Sequence, residues 1–432
     1  MNDRRLQLSA AEPDSYYVAS CGAIERLPGA QGEIAADVCV IGAGFTGLSS
    51  ALHLAARGYD VVVLEAEQVG WGASGRNGGH AGVGQRVEQA ELERKLGLER
   101  ARQLWDLGLD AVALIRELVS THCIDCDLKE GILHAAARPG DTEYLEADCK
   151  ALRDKYGYDK VHALDSEQVR ERLGSSRYFG GQLDTGSLHL HPLKYALGLS
   201  RAAQAAGVRI YENSRVTAYQ AGSNVEVYTS TAQIKAKKVI LACNGYLEAL
   251  EPRLAGKIMP INNFILATEP LSDAKARELI RDDTAVQDTR FVINYWKLSG
   301  DNRLLFGGGE TYTRKFPRDM KSFVRKYMLS VYPQLDATRI DYAWGGTLAI
   351  TMNRMPDYGQ LGENVFYAQG FSGHGVPTAT LAGKLLAEAI DGDRTRFDII
   401  AGLPIPGFPG GRFLRWPGQV AGMLYYSLRD RL

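Results

Sequence analysis

The 432-residue sequence predicts an α/β fold: a Rossmann-like nucleotide-binding domain joined to a smaller α+β domain with a mixed or antiparallel sheet. Three observations predict it. The first is a complete β-α-β unit, in which the apolar run Ala36 to Ile41 ends at Gly42-Ala43-Gly44-Phe45-Thr46-Gly47 and a second run, Tyr59 to Leu64, ends at Glu65. The second is a group of strand-like segments, Phe264 to Thr268, Phe291 to Leu298 and Arg303 to Gly309, with Gly300-Asp301-Asn302 as a hairpin turn between the last two. The third is a late strand, Asn364 to Gly370, that runs through Phe371-Ser372-Gly373-His374-Gly375-Val376-Pro377 into a helix, Thr378 to Ile390, stopped by Asp391-Gly392.

Each part of the β-α-β unit has a physical task. Gly42 allows the tight turn, Gly44 lets the backbone approach a pyrophosphate, and Gly47 permits close packing of helix on strand. Free amides at Phe45 and Thr46 then open a helix whose positive end faces phosphates. Glu65 follows Gly42 by 23 residues, near the spacing of about 20 at which an acid accepts from a ribose 2′-hydroxyl and repels a 2′-phosphate. The chain therefore holds a dinucleotide.

Composition narrows the partners. Lysines and arginines number 50 against 51 acids, a formal net charge of −1, so no cationic field serves nucleic acid or an anionic membrane. Arg4-Arg5 lacks an apolar segment behind it and no run approaches the roughly 20 apolar residues of a membrane span, so a cytoplasmic protein is expected. Six cysteines are few for this length; Cys39 and Cys243 lie in strand-like runs where thiols act as small hydrophobes. Cys123-Ile124-Asp125-Cys126 spells CxxC, but no second pair and no nearby His-x-x-His completes it, so a structural role is expected and no metal site.

The remaining elements follow in order. Residues Met1 to Gln31 read as a polar arm leading to a first strand at Ala36. A glycine-dense loop, Gly70 to Gly82, follows Glu65. Spaced apolar residues from Leu92 to Leu118 predict two amphipathic helices. Gly131 to Ala136 reads as a strand and Asp141 to Tyr156 as a helix. Asp184 to Pro192 reads as a turn into a helix, Leu193 to Ala206, which leads to a strand, Val208 to Tyr211. Val225 to Tyr228 and Val239 to Gly245 are further strands, the second ending in a small-residue turn at Asn244-Gly245 suited to backbone lying against a cofactor.

With one GxGxxG in the sequence, a second domain for a pyridine nucleotide is not evident, and electrons are expected to come from the substrate. The β-α-β unit, the glycine-dense loop and the Gly-Phe-Ser-Gly-His-Gly turn together resemble the D-amino-acid oxidase, glycine oxidase and sarcosine oxidase superfamily of FAD enzymes. The likeness spans nearly the whole chain. It is strongest to γ-glutamylputrescine oxidase-type proteins, through Gly70-Trp71-Gly72-Ala73-Ser74-Gly75-Arg76-Asn77-Gly78-Gly79, Leu298 to Gly308, and Arg354-Met355-Pro356-Asp357.

The resemblance implies a discontinuous FAD-binding domain (1–87, 186–260 and 345–400), a substrate domain (88–185 and 261–344) and a C-terminal tail with an amphipathic helix (401–432). It places Ala66 beside Glu65, Gly72, Ala73, Ser74, Asn77, Gly78 and Gly79 along the flavin, Val216 at adenine, and Asn244 and Gly245 against the cofactor. Gly370, Gly373, His374, Gly375 and Val376 fall at the pyrimidine edge, where a helix start aims its amides at flavin O2 and N1. His80 does not fall where histidine-linked relatives attach their flavin, so non-covalent FAD is expected.

Two departures bear on the substrate. Amino-acid-oxidising relatives carry an α-carboxylate-binding arginine where Trp344-Gly345-Gly346-Thr347-Leu348 has Leu348, and sarcosine oxidases carry a lysine where this chain has Pro377. Without these cations a carboxylate beside the flavin is unpaired, and an amine fits better. The expected reaction is hydride transfer from a polyamine-like or γ-glutamylated amine to flavin N5, giving an imine and then an aldehyde. Tyr295, Lys297, Trp344 and His374 are the candidate catalytic residues, although aromatic residues along a strand also suit a core. Leu305 replaces the oxygen-activating lysine of sarcosine oxidases, which leaves O2 and a quinone both open as electron acceptor. The tail from Arg412 to Leu432 suits docking on the protein or contact with a membrane. Rival readings are an amino-acid (glycine, sarcosine or D-amino-acid) oxidase or dehydrogenase, a flavin-dependent tRNA-modifying enzyme, which the neutral charge balance disfavours, and a non-catalytic redox flavoprotein.

Overall fold

A computed structural model describes residues 14–311 and 316–409. In chain order its strands are β1 (Gly32–Ile41), β2 (Val61–Leu64), β3 (His80–Ala81), β4 (Lys129–Ala135), β5 (Val161–Asp165), β6 (Gly180–His189), β7 (Arg209–Tyr211), β8 (Ala218–Gln220), β9 (Val225–Tyr228), β10 (Ala232–Leu241), β11 (Met259–Thr268), β12 (Ala285–Asp288), β13 (Tyr295–Leu298), β14 (Leu304–Thr311), β15 (Ile340–Ile350), β16 (Asp357–Leu361) and β17 (Val365–Gln369).

They form two sheets. One runs β16-β17-β10-β1-β2-β7, with β9 on β10 and β8 on β9; the other runs β15-β11-β14-β13-β12-β4-β6-β3, with β5 on β6. In the first sheet β10, β1, β2 and β7 pair in parallel, and β17 pairs in parallel with β10. Val38 to Leu64 supply near-continuous apolar runs there because parallel strands are covered on both faces. On one face lie the helices Phe45–Ala55, Leu98–Thr121, Pro192–Ala205 and Gly375–Asp391, which share one core with Val38, Val40, Val61 and Val63. In the second sheet Trp296, Phe306, Phe264 and Leu266 point to the helix Met320–Val331, while Tyr295, Leu305, Ile265 and Trp344 point to the other face.

The α/β class and the two-sheet division agree with the sequence reading. The predicted hairpin is present: β13 and β14 are antiparallel around Gly300, with Asn302 in left-handed conformation at φ 62°. Several elements differ. β1 starts at Gly32, not Ala36, because its first half pairs with β10 from Ala232 onward. Asp184–His189, read as a turn, is strand; Asp184 is buried and accepts from the Tyr158 and Ser187 hydroxyls and the Gly186 amide, so a polar sequence is satisfied inside a sheet. Phe291–Asn294 is loop instead of strand, since the backbone and side-chain amides of Asn294 turn back to Asp288. The late helix starts at Gly375, three residues before Thr378. β15 has no counterpart in the sequence reading, because Gly345 and Gly346 interrupt its pattern.

β6 and β15 each run through an expected domain boundary, and the Leu98–Thr121 helix, placed with the substrate domain by sequence, packs on the first sheet's helical layer. The N-terminal segment is more than an arm: Tyr17 is fully buried, its ring 5.1 Å from that of Trp344 and 4.7 Å from that of His191. Residues 410–432, which hold most of the expected amphipathic tail, lie outside the described residues.

The packing at Gly47 is close enough to test. A Cβ there would stand 1.8 Å from the Gly42 carbonyl oxygen, whereas one at Gly140 meets open space. Gly47→Ala is expected to lose at least ~1–3 kcal/mol of stability by forcing the helix off its strand, and Gly140→Ala to change little; thermal unfolding of both variants checks the contrast.

Candidate active site

The strand ends of the first sheet and the uncovered face of the second enclose a cavity of about 700 Å3, inside the ~300–1,000 Å3 range of small-molecule and cofactor sites. Gly42, Gly44, Phe45, Thr46, Glu65 and Ala66 line one end. Gly42 takes φ 110°, a conformation that side chains disfavour, and the Phe45–Ala55 helix starts directly after Gly44. The Phe45 amide is already engaged, donating to Ser74 Oγ at 3.0 Å, which ties the glycine-dense loop to the helix start and corrects the expectation of two free amides. Glu65 accepts from the amides of Ala43 (2.8 Å) and Glu67 (3.0 Å), one on each oxygen. Burial raises its pKa against these two donors.

Gly72, Ala73, Ser74, Asn77 and Gly78 line the middle of the cavity, with Val216, Asn244, Gly373, Gly375 and Val376. Asn77 caps its own loop, donating to the Ala73 and Ser74 carbonyls and accepting from the Gly79 amide. Asn244, at φ 46°, accepts from the Gly370 amide and so joins two segments 126 residues apart.

Other predicted positions stand behind the wall. Gly47, Gly79, Gly245 and Gly370 do not line the cavity; they are packing positions. A Cβ at Gly79 would lie 2.0 Å from the Leu190 oxygen, and one at Gly370 would lie 2.4 Å from Thr351 Cγ2. His374 caps the Gly375–Asp391 helix from beneath, its Nε2 3.2 Å from the Gly84 oxygen, and burial holds its ring near a pKa of about 4, hence neutral.

Of the candidate catalytic residues, Tyr295 lines the cavity. Its hydroxyl donates to Asn263 Oδ1 and its ring lies over Gly78 and Gly307, where any Cβ would strike it. Lys297 and Trp344 do not reach the cavity. Lys297 shares a strand face with Tyr295 but is two residues further along, buried, and donates to the Leu190 carbonyl at 2.5 Å, opposite Leu305 across the hairpin. Trp344 donates its indole N–H to the Arg76 carbonyl at 3.1 Å and packs on Tyr17. Lys297 thus ties β13 to the chain leaving β6 within the second sheet, and Trp344 ties β15 to the glycine-dense loop.

The structure also brings in residues to which the sequence reading gave no place in the site: Arg76, His80, Arg86, Gln287, Phe291 and Arg354 line the cavity. Arg76 donates to the Trp71 and Gly345 carbonyls and clamps the glycine-dense loop to β15. Both ring nitrogens of His80 face carbonyl oxygens, Val286 at 3.0 Å and Gly78 at 3.2 Å, and burial keeps the ring neutral with a pKa of about 4. Arg76, Arg86 and Arg354 thus bring guanidinium groups to the wall, while at the two positions compared by sequence Leu348 lines the cavity and Pro377 is buried in the helix. Arg76 and Arg354 sit inside the recognised strings, yet their reach into the cavity depends on tertiary placement. Among the described residues no cluster of three or more His, Cys, Asp or Glu side chains suits a metal.

A nucleotide cradle continuous with an enclosed cavity on a second sheet is the arrangement of a flavin-type dinucleotide enzyme. The family model described as FAD-dependent oxidoreductase (DAO) matches residues 37–389. The chain is 43% identical over 419 residues to "Gamma-glutamylputrescine oxidoreductase" of Escherichia coli (strain K12), covering 97% of this chain and 98% of the relative. It is 39% identical to "Probable oxidoreductase OrdL" of Haemophilus influenzae, over 96% and 97%. Glycine oxidase from Geobacillus kaustophilus superposes with a TM-score of 0.69 at 22% identity, over 83% of this chain and 95% of that one, a likeness of fold. The chain belongs to the DAO family of FAD-dependent oxidoreductases, and FAD is its cofactor. The residues fit the group: the Gly42–Gly44 turn with the helix start at Phe45, Glu65 directly after β2, and the helix start at Gly375 all line one cavity.

Lys297 yields a pH prediction. Burial, with Lys129 nearby, lowers its pKa from 10.5 to about 7. Below about pH 7 the folded state carries the buried charge; between about 7 and 10.5 only the unfolded lysine is protonated, so stability rises with pH through that window. Lys297→Met should therefore stabilise most near pH 6.5 and progressively less toward about pH 9.5. Thermal midpoints of both proteins at the two pH values check this; an equal difference at both contradicts it.

Proposed function

We propose that the protein oxidises the terminal amine of a γ-glutamylated diamine or related polyamine-like compound. The observation that carries the reading is the end-to-end 43% identity to a protein named for γ-glutamylputrescine, joined to a cavity wall that has Leu348 where amino-acid-oxidising relatives grip an α-carboxylate. Leu348 itself offers a carboxylate no charged partner, and a carboxylate left unpaired away from water costs several kcal/mol.

In this reaction the amine-bearing carbon loses a hydride and the nitrogen a proton, giving an imine that water converts to an aldehyde and ammonia. FAD supplies the two-electron acceptor. The protein's part is positioning. The Tyr295 hydroxyl, its proton committed to Asn263, offers its oxygen as an acceptor for an amine N–H. His80, His134 and His374 are all held neutral near pKa 4 by burial, so none of them repels a protonated amine on entry. His80 and His374 direct ring nitrogens to backbone carbonyls, which supports a flavin held without a covalent link. Either O2 or a quinone serves as the final acceptor, with Leu305 at the position of the oxygen-activating lysine. Among the described residues no helix is long and apolar enough to cross a membrane, which is compatible with a cytoplasmic enzyme.

Anaerobic mixing of the yellow holoprotein with γ-glutamylputrescine should bleach the flavin band, while glycine and sarcosine leave it unchanged; the reverse pattern overturns the reading. Acid precipitation should leave the FAD in the supernatant.

A further inference from the structure

We propose that the loop between β12 and β13 is a specificity element of the cavity: Phe291 and Ile293 receive the unbranched hydrocarbon stretch of the amine substrate, and Asp288 is the positioning residue that holds them in place. This rests on the amine-oxidising reading and names the surface that meets the part of the substrate linking its two polar ends.

The loop carries Phe291, Val292 and Ile293 in succession, each only partly buried. Connecting segments run over the surface and are ordinarily polar, so three apolar residues in a row call for a reason. Phe291 and Ile293 line the cavity, whereas Val292 between them does not. The flanking strands line it too, through Gln287 and Tyr295, which are cross-strand partners, so the pair extends the wall that the second sheet contributes. Apolar side chains beside a few polar groups are the usual lining of a small-molecule site. A γ-glutamylated diamine has polar ends joined by methylene groups, and each methylene moved from water onto such a wall tightens binding about 4-fold.

The loop is pinned at its root. The buried Asp288 carboxylate accepts from the Asn294 backbone amide on one oxygen and from the Asn294 side-chain amide on the other, both at 2.9 Å, and the Arg290 guanidinium stands 3.5 Å away. The Asp288 amide in turn donates to the Asn294 carbonyl at 2.9 Å, so the two residues close a ring around positions 289–293. Thr289 fixes the side leaving β12: its amide donates to the Ala135 carbonyl, and its hydroxyl accepts from the Ala137 amide and donates to Asp141. At the tip, the Arg354 guanidinium lies 5.3 Å over the Phe291 ring, reaching it from the turn after β15. A loop held at root and tip keeps Phe291 and Ile293 set before a substrate arrives, which spares the cost of ordering them on binding.

The test uses the holoenzyme and the N-γ-glutamyl derivatives of ethylamine, n-propylamine and n-butylamine, probes that lack the terminal amine and whose binding is read from the flavin difference spectrum. The parent should bind each longer member about 4-fold more tightly. Phe291→Ala and Ile293→Ala should each weaken the butyl member about 10-fold and cut the gain per methylene to below about 2-fold. Val292→Ala, which trims the same loop outside the lining, should keep the parent's dependence on chain length. Asp288→Ala should flatten that dependence as Phe291→Ala does, and Asp288→Asn, which keeps one acceptor oxygen, should recover part of it. A parent-like gain in both Phe291→Ala and Ile293→Ala overturns the specificity role, and so does an equal loss in Val292→Ala. A parent-like gain in Asp288→Ala, or in Asp288→Asn should the alanine variant not fold, overturns the positioning role. Failure of γ-glutamylputrescine to reduce the parent flavin overturns the amine reading alone, since probe binding is measured without turnover.

Discussion

Close approach of backbone to backbone along residues 70–82 is the constraint on which the rest of the structure depends. A Cβ at Gly75 would lie 2.3 Å from the Gly70 oxygen, one at Gly78 2.7 Å from the Tyr295 ring, and one at Gly79 2.0 Å from the Leu190 oxygen. This loop is the seam between the two sheets. Ser74 binds it to the nucleotide turn, Arg76 and the Trp344 indole bind it to β15, and Gly79 accepts from the Leu190 amide beside β6. With side chains excluded from the seam, the layers close far enough to shape a cavity and still leave room for FAD.

Much of this was legible in the sequence for a physical reason: features that depend on local backbone geometry leave local signatures. The Gly42 turn, the helix after Gly44, the acid at Glu65 and the hairpin at Gly300 are each set by a few adjacent residues. Features that depend on long-range pairing were less visible. β6 is polar in sequence because Asp184 satisfies its neighbours inside the sheet, and β15 is masked by paired glycines. Lys297 and Trp344 share strands with cavity residues, so a pattern of alternating faces could not separate the wall from the packing beneath it. Arg86 was missed because its reach to the cavity wall depends on tertiary placement.

Electrostatics completes the division of labour. His80 and His374, buried beside the cavity, are held neutral by desolvation near pKa 4, whereas Arg76, Arg86 and Arg354 bring guanidinium groups to its wall. Neutral imidazoles beside the cavity do not compete with an amine for its proton. The DAO fold hosts several chemistries, and in this chain Leu348 puts an apolar side chain on the cavity wall.

A crystal structure of the holoprotein tests the central claim most directly. The account predicts the isoalloxazine ring between the Ser74–Gly78 loop and the Gly373–Gly375 turn, with Tyr295 and Leu348 on the side open to substrate. A flavin bound elsewhere, or a guanidinium over the ring in place of Leu348, would contradict it.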